Sequence, residues 1–204
     1  MDPAHYFNAQ PAVPDVRRPL AVVLEGRELA LETSAGIFSP DGVDKGTAVL
    51  LEEAPDPAPE GALLDIGCGW GPITLTMALR SPGATVHAVD VNERSLSLTA
   101  ANARRIGLPN VRTALPEAVP ADIRFATIWS NPPIRIGKQA LHELLLLWLP
   151  RLAVGGEAWL AVQKNLGADS LQRWLADELG GAYDVARAAT SKGFRVLRVT
   201  RVAE

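Results

Sequence analysis

From residue 61 onward, short apolar runs alternate with longer stretches of helical periodicity. The runs LLDIG, TVHAVDV, VRTAL, FATIWSN and EAWLAVQ have the length and composition of strands. Between them, residues 92–106 and 138–152 repeat apolar side chains at helical spacing, and Gly155-Gly156 is predicted to turn the chain into the next strand. This alternation predicts a mostly parallel sheet with helices on both faces.

The sequence patterns near both ends of the chain predict β-hairpins. DVARAAT and FRVLRVTR are only a few residues apart, and a parallel crossover needs about a dozen, so they are predicted to pair antiparallel at the sheet edge. Residues 21–25 and 28–33 form a smaller predicted hairpin, preceded by a proline-containing arm over 1–20. A helical stretch near 47–51 follows, and the segment 53–60, EAPDPAPE, then breaks the chain.

We therefore predict an α/β protein with a doubly wound, seven-stranded, mostly parallel Rossmann-like sheet, an antiparallel last strand and a small N-terminal β-hairpin. Residues 1–60 would form the arm, hairpin and first helix, which pack on a core of residues 61–204 within one compact domain. The 204 residues, 48% of them hydrophobic and 21% charged, fit this view and exclude a disordered or fibrous chain.

Composition also narrows the possible surroundings and partners. No apolar run approaches the roughly 20 residues that span a bilayer, and the first residues lack a secretory pattern, so a cytoplasmic protein without membrane partners is expected. One cysteine and three scattered histidines predict neither an internal disulfide nor a metal site. A net charge of −3 gives no general attraction to nucleic acid, so any such contact needs a local basic patch.

A glycine-rich turn is the sharpest motif. In LDIGCGWGP a predicted strand runs into glycines and then a helix that begins near Pro72, which lets a ligand approach bare backbone. Pro72 stands where a dinucleotide-binding fold has its third glycine, and this weakens a nicotinamide interpretation. Asp90 closes the next strand, where an acidic residue can accept from two ribose hydroxyls. Alone, each feature is more often an ordinary turn or a helix cap. In this order, at the carboxyl ends of adjacent strands, they predict a nucleoside-bearing ligand.

A second motif, SNPPI, follows the fourth of these strands. Pro132 and Pro133 remove two backbone donors, so the Asn131 side-chain oxygen and the Pro132 carbonyl form an acceptor pair suited to a planar amine. A bare proline pair is more often only a rigid loop. Its place at the carboxyl edge of the sheet, beside the glycine turn, favours ligand binding.

With these residues identified, the chain resembles the class I S-adenosylmethionine-dependent methyltransferases that carry an NPP-type motif. More closely, it resembles the methyltransferase small-domain family, which includes bacterial small-subunit ribosomal RNA guanine-N2 methyltransferases. The likeness covers nearly the whole chain through seven segments in order: HYFNAQPAV, GIFSPDGVDKGT, LLDIGCGWG, AVDVNERSL, NPPIRIGK, VQKNLGADSL and SKGFRVLRV.

The resemblance implies methyl transfer from S-adenosylmethionine to an exocyclic amine, with guanine N2 of small-subunit ribosomal RNA as the leading substrate and no metal. The RNA or the small ribosomal subunit would be the partner. The implied catalytic residues are Asn131, Pro132, Pro133 and Ile134. The implied cofactor residues are Phe38, Thr47, Asp65, Gly67, Cys68, Gly69, Asp90, Val91, Asn92, Leu115 and Asn131. The candidate RNA contacts are Arg135, Lys138, Lys164, Lys192 and Arg195.

Two departures from the family pattern keep alternatives open. The third strand ends in TALP, without the carboxylate that receives the adenine amino group in many relatives. Ile134 stands where enzymes that methylate DNA adenine or protein glutamine usually have an aromatic residue, which counts against those two substrates. A cofactor-binding module without catalysis is a further alternative, and a nicotinamide oxidoreductase is the remotest.

Other conspicuous residues have plainer interpretations. Cys68 has no neighbouring histidine or lysine in sequence and is predicted to pack rather than react. Trp70 and Trp129 stand beside the predicted site. The basic residues between 187 and 201 favour two readings equally: a phosphate-binding surface, or an edge strand that uses charge to avoid pairing with another sheet.

Overall fold

The structure, a computed structural model, describes residues 13–203. Within that range the strands are β1 Arg17–Leu24, β2 Arg27–Ser34, β3 Glu60–Ile66, β4 Gly83–Val89, β5 Val111–Ala114, β6 Phe125–Ser130, β7 Leu152–Gln163, β8 Tyr183–Ser191 and β9 Phe194–Arg201. The α-helices are α1 Lys45–Glu53, α2 Pro72–Arg80, α3 Glu93–Arg105, α4 Lys138–Trp148 and α5 Ala168–Leu179. Most of the predicted arm, residues 1–12, lies outside the described residues, whereas Arg17 already begins β1.

The central sheet has seven strands in the order β5-β4-β3-β6-β7-β9-β8. The first five are parallel, and β9 lies antiparallel to both of its neighbours. Within this sheet the chain enters at the central strand β3 and continues through β4 to the edge strand β5. It then returns to the other side of β3 with β6. The predicted doubly wound sheet with an antiparallel last strand is confirmed. The order reverses at β3 and β6, and in open α/β sheets ligands bind at the carboxyl edge of such a point.

The core lies on both faces of this sheet. On one face α4 and α5 pack around Phe125, Trp148 and Leu160. On the other face α1 and α2 pack around Leu63 and Met77. Because neighbouring residues of a strand point to opposite faces, a sheet covered on both sides needs continuous apolar runs, and that is why β3 and β6 could be recognised from sequence.

The predicted N-terminal hairpin is confirmed as a separate two-stranded sheet, with longer strands than expected and its turn at Glu25-Gly26. It packs against α2 and α3 through Leu20 and Leu31. The fully buried Asn102 of α3 joins three parts of the chain: its amide nitrogen donates to the carbonyls of Glu32 and Trp70, both at 2.9 Å. The hairpin is thereby fixed to the helix beside the glycine turn.

Two boundaries differ from the predicted ones. The helix α4 ends at Trp148 rather than near residue 152, because Pro150 has no backbone N–H to continue the α-helical ladder. The strand β7 already begins at Leu152, so Gly155-Gly156 does not precede it but lies inside it, where its pairing with β6 shifts register. A Cβ on Gly156 would lie 2.8 Å from the Phe125 carbonyl oxygen, so close approach of the two backbones explains this glycine.

The helices within residues 13–203 include none long and apolar enough to cross a bilayer.

Candidate functional site

A cavity of about 470 Å³ opens at the carboxyl edge of the sheet, next to the point where the strand order reverses. Its walls come from the end of β3, the end of β4 with the start of α3, the loop after β6, and the facing ends of β7 and β9. This size is ordinary for a small-molecule site. A smaller hollow adjoins it between the glycine turn and α1, and both are lined by Phe38, Asp44 and Asn131.

The glycine turn after β3 offers open backbone to this cavity. Gly67 has a φ of 80°, and its N–H donates to the Val89 carbonyl at 2.8 Å, which draws the turn towards β4. A Cβ built on Gly67 would meet no heavy atom within 4 Å, so the turn is bare on that side. Pro72 opens α2, as the sequence predicts, and its missing N–H costs nothing in a first helical turn. A ligand can therefore reach the main chain at the end of β3.

Asp90 follows β4 and lines the cavity. Its Oδ2 accepts from the Gly69 N–H at 3.1 Å, and its Oδ1 accepts from the Asn92 N–H at 2.9 Å. Burial raises the pKa of this carboxyl, while these backbone donors oppose the shift. Each carboxylate oxygen can accept a further hydrogen bond, so Asp90 both fixes the glycine turn and retains capacity for hydroxyl groups.

Asp65 lies in β3 beneath the glycine turn and is completely buried. Its Oδ2 accepts from the Thr74 hydroxyl at 2.5 Å, whereas its Oδ1 has no hydrogen-bond partner among the described residues. Burial raises the pKa of this carboxyl from 3.8 to about 7. A buried acceptor without a partner, below a turn of bare backbone, suits a site that is completed by a polar ligand.

Asn131 lies in the loop after β6 and is oriented by α1. Its side-chain nitrogen donates to both oxygens of Asp44, at 3.0 and 3.1 Å, and lies 3.2 Å from the Thr47 hydroxyl oxygen. Only the NH₂ end of an amide can face a carboxylate in this way, so the amide oxygen is left as an acceptor for something else. Thr47 is buried and lines the smaller hollow.

Asp44 is a site residue that the sequence analysis missed. Its Oδ1 also accepts from the Gly46 N–H at 2.8 Å, so it is the N-cap of α1. An aspartate just before a helical stretch is a recognisable capping signal. Its bond to Asn131 joins residues far apart in sequence, and no local pattern announces such a contact.

Gly46 explains how closely α1 approaches the site. A Cβ at this position would lie 2.8 Å from the Asn131 side-chain oxygen and 2.8 Å from Cε1 of Phe194. The amide oxygen and the edge of the Phe194 ring are therefore neighbours. Phe194, at the start of β9, was also missed, because its sequence context indicates only a hairpin strand.

The two prolines after Asn131 shape the rest of this wall. Pro132, Pro133 and Ile134 all line the cavity. The Pro132 carbonyl accepts from the Ile134 N–H at 2.8 Å, which fixes the turn and leaves its second lone pair available. Asn131 and Pro132, the predicted acceptor pair, both line the cavity.

The other predicted cofactor residues divide into two groups. Phe38 and Val91 are about half exposed and lie at the mouth of the cavity. Three further side chains are engaged elsewhere. Cys68 packs with Leu115, and burial raises the pKa of its thiol, while Asn92 caps α3 and donates to the Gly36 carbonyl at 3.0 Å. Of these three residues, Cys68 lines the smaller hollow and Leu115 is only partly buried.

The tryptophans also divide. Trp70 lines the smaller hollow and its indole N–H donates to the Ser39 carbonyl at 3.1 Å. Trp129 is fully buried in the core beneath α1 and α2 and does not line either space.

Several predicted RNA contacts are occupied by acidic partners. Lys192 pairs with Glu52 at 2.6 Å, and the almost buried Arg195 lies with its Nε 2.6 Å from Asp169. Arg195 is thus a poor candidate for a phosphate contact, because its guanidinium is largely buried and already paired with Asp169. Lys138 and Lys164 are exposed near the cavity. Arg135 lies in the turn Ile134–Ile136, and its side chain is outside the described part.

Two more basic residues of the terminal hairpin are paired with acids, whereas Arg201 donates to backbone carbonyls, among them that of Leu152 at 2.8 Å. Arg187 lies 2.8 Å from Asp169, and Arg198 lies 3.0 Å from Asp184. Asp169 belongs to α5 and Asp184 to β8. Their pairing with these arginines is not visible from the order of charges along the sequence. The pairing favours a charged sheet edge over a continuous phosphate-binding surface.

Residues 13–203 contain no cluster of three or more histidine, cysteine or acidic side chains arranged to hold a metal ion.

The model of the methyltransferase small domain matches residues 28–198 of the chain. An uncharacterized protein of Bacillus subtilis, YbxB, is 33% identical over 201 residues, which are 97% of this chain and 98% of that protein. The ribosomal RNA small subunit methyltransferase C of Pseudomonas entomophila is 32% identical over 197 residues, which cover 90% of this chain but 57% of that enzyme.

Among solved structures, the fold matches a T. thermophilus 16S rRNA N2 G1207 methyltransferase, RsmC, in complex with AdoMet and guanosine. The TM-score is 0.77 at 25% identity, and the match covers 94% of this chain and 52% of that one. This chain therefore spans little more than half the length of the ribosomal RNA methyltransferases it matches.

Proposed function

Since this chain belongs to the methyltransferase small-domain family, we propose that it methylates the N2 amine of a guanine in small-subunit ribosomal RNA. It is an S-adenosylmethionine-dependent methyltransferase. The observation that carries the choice of an amine is the Asn131 side chain: this residue lines the cavity, Asp44 binds its NH₂ group, and its oxygen is left as an acceptor.

The described residues fit S-adenosylmethionine. Bound there, it supplies a methyl group activated by attachment to a positively charged sulfur. The bare backbone at Gly67 and the unpartnered oxygen of Asp65 suit the polar methionine end, and Asp90 is the acceptor for the ribose hydroxyls. Val91 and Pro116 supply apolar walls for the adenine. We assign its amino group to backbone acceptors after β5, where many relatives have a carboxylate. Phe38 and Thr47 close the pocket from the N-terminal side.

The Asn131 loop prepares the amine. The lone pair of an exocyclic guanine amine is delocalised into the ring, which makes the nitrogen a poor nucleophile. The Asn131 oxygen and the Pro132 carbonyl accept its two N–H groups, favour a more tetrahedral nitrogen and direct its lone pair towards the methyl group. The bound S-adenosylmethionine would supply the methyl group, and its sulfur would leave as a neutral thioether, while the nitrogen held by Asn131 and Pro132 would release one proton to water. The scheme needs no dedicated base, because the methylated nitrogen is acidic until that proton leaves.

Two observations support RNA guanine over the other amines. The relatives from P. entomophila and T. thermophilus carry small-subunit ribosomal RNA in their names, and the T. thermophilus structure contains guanosine. Ile134 lines the cavity where enzymes that act on DNA adenine or protein glutamine usually have an aromatic residue. The intact Asn131–Ile134 loop also counts against a module without catalysis. Lys138 and Lys164 are the exposed cations that we assign to RNA phosphates.

The test is to incubate the purified protein and methyl-labelled S-adenosylmethionine with separated RNA, DNA and protein from cells that lack its gene. Nucleoside analysis of the labelled RNA is expected to identify N2-methylguanosine in the small-subunit RNA. Label that appears only in DNA or protein would reject the RNA substrate, and label in no fraction would favour the cofactor-binding module.

Three substitutions of Asp44 separate its role in positioning Asn131 from its role as a helix cap. Asp44→Ser keeps a capping oxygen but lacks the reach to hold the Asn131 amide, so we expect lower kcat with nearly unchanged stability. Asp44→Ala removes both contacts and is expected to cost about 1 kcal/mol of unfolding free energy as well. Asp44→Asn retains one oxygen that can serve both contacts, and most of the activity should return.

The measurements are kcat, KM for the RNA and urea unfolding of each variant. Equal kcat for the Ser and Asn variants would show that Asp44 acts only through the stability of α1. A kcat that follows the Asn131 contact rather than stability supports the positioning role.

A further inference from the structure

The wall of the cavity beyond the Asn131 loop consists of the facing ends of β7 and β9. Gln163 and Phe194 are partners in the antiparallel register of these strands, and both line the cavity. Cross-strand partners place their side chains on the same face of a sheet. One amide and one aromatic ring therefore stand side by side at the end of the cavity that the proposed cofactor does not use.

Phe194 supplies an aromatic surface next to the acceptor for the amine. Its ring edge and the Asn131 side-chain oxygen each lie 2.8 Å from the position that a Gly46 Cβ would occupy. Ile134 lines the same cavity and offers only aliphatic contact. A planar base with its amine on Asn131 can thus stack on Phe194, which compensates for the absence of an aromatic residue in the NPPI motif.

Gln163 lies one strand away from Asn131, within reach of the same base. Ser130 pairs with Leu160, so the next residue, Asn131, lies level with Ala161. Gln163 is two residues beyond Ala161, an offset of roughly 7 Å along the strand direction. Gln163 is partly buried, and no hydrogen bond with another described residue engages its side-chain amide. A half-buried amide that lines a cavity without a partner can bind a polar ligand edge with both its donor and its acceptor.

Guanine offers such an edge beside its N2 amine. The next two groups are the N1–H donor and the O6 acceptor, which match the oxygen and the nitrogen of a glutamine amide. Adenine with its N6 amine on Asn131 would present the N1 acceptor and then a C–H, so the same amide could form one hydrogen bond at most. We propose that Gln163 selects guanine over adenine by pairing with N1–H and O6, while Phe194 stacks on the base. This inference rests on the proposed function and names the residues that recognise its substrate.

The experiment compares two nucleosides that share the N2 amine. Guanosine carries N1–H and O6, whereas 2-aminopurine riboside lacks both. The full chain, loaded with S-adenosylhomocysteine, is expected to bind guanosine about tenfold more tightly in an NMR titration, because only guanosine can form both hydrogen bonds with Gln163. Gln163→Leu should lose this preference and bind both nucleosides alike. Phe194→Leu should weaken both by a similar factor of about ten or more, since stacking contributes to each.

Gln172→Leu is the matched control, because this glutamine lies on α5 and does not line the cavity. It should keep the preference for guanosine. A Gln163→Leu protein that still prefers guanosine, or a wild type that binds both nucleosides equally or neither, would overturn the inference. These outcomes are independent of the labelling experiment. If the protein forms N2-methylguanosine but Gln163→Leu still prefers guanosine, the inference is rejected and the proposed function is kept.

Discussion

Replacing Asn131 with alanine is expected to lower kcat for methyl transfer by about 10²–10³, the usual effect of removing one preorganised group that stabilises a transition state. The side chain supplies the acceptor that shapes the amine, and the two carboxylate contacts with Asp44 fix its direction before substrate arrives. The glycine turn and Asp90 do not depend on it. The affinity for S-adenosylhomocysteine, measured by isothermal titration calorimetry, should therefore remain close to that of the wild type.

Two further measurements on Asn131→Ala separate an effect on methyl transfer from effects on stability and on RNA binding. The unfolding free energy of Asn131→Ala shows whether Asp44, left without its amide partner, disturbs α1. Single-turnover kinetics separate the methyl-transfer step from RNA binding. A parallel loss of S-adenosylhomocysteine affinity and kcat would assign Asn131 to the cofactor pocket and remove the basis for the amine-binding mechanism.

The second large effect is the pH dependence of the unfolding free energy that Asp65 causes. A rise of its pKa from 3.8 to about 7 means that the folded protein binds this proton more tightly than the unfolded chain does. The unfolding free energy therefore falls as pH rises from about 4 through about 7, by up to about 4 kcal/mol from this group. Asp65→Asn has no proton to lose. Relative to the wild type it should become progressively more stable over this window, and the two proteins should converge below pH 4.

Urea unfolding without ligand, repeated between pH 4 and pH 8, measures this difference. Thr74→Val provides a second arm, because the Thr74 hydroxyl donates to the Asp65 carboxylate and favours its charged form. Without that donor, the loss of stability should extend to higher pH. Parallel curves for the wild type and Asp65→Asn would show that Asp65 is ionised in the folded protein throughout the range.

The elements that could be predicted from sequence are those whose signals are local. Buried parallel strands require continuous apolar runs, and the glycine turn requires conformations that few other residues adopt, so both were visible in LLDIGCGWG. Pro150 could have placed the end of α4 correctly, but the leucine-rich periodicity continued past it and obscured the boundary.

The parts that could not be predicted are contacts between distant segments. Asp44 looks like a helix cap, and nothing near it in sequence indicates that the same carboxylate binds Asn131. Lys192 and Arg195 look like free cations until the fold brings Glu52 and Asp169 against them. Charge counted along a chain records how many ionic groups exist, whereas the pairing of those groups is a property of the tertiary structure.

The close packing at Gly46 has a consequence for how activity appears during synthesis. The three residues that meet there belong to the first helix, the loop after β6 and the start of β9, and Phe194 comes after most of the chain. A growing polypeptide can complete the glycine turn and Asp90 long before β9 leaves the ribosome. Cofactor binding can therefore precede the ability to hold a base, and premature termination before β9 would leave a fragment without one wall of its substrate pocket.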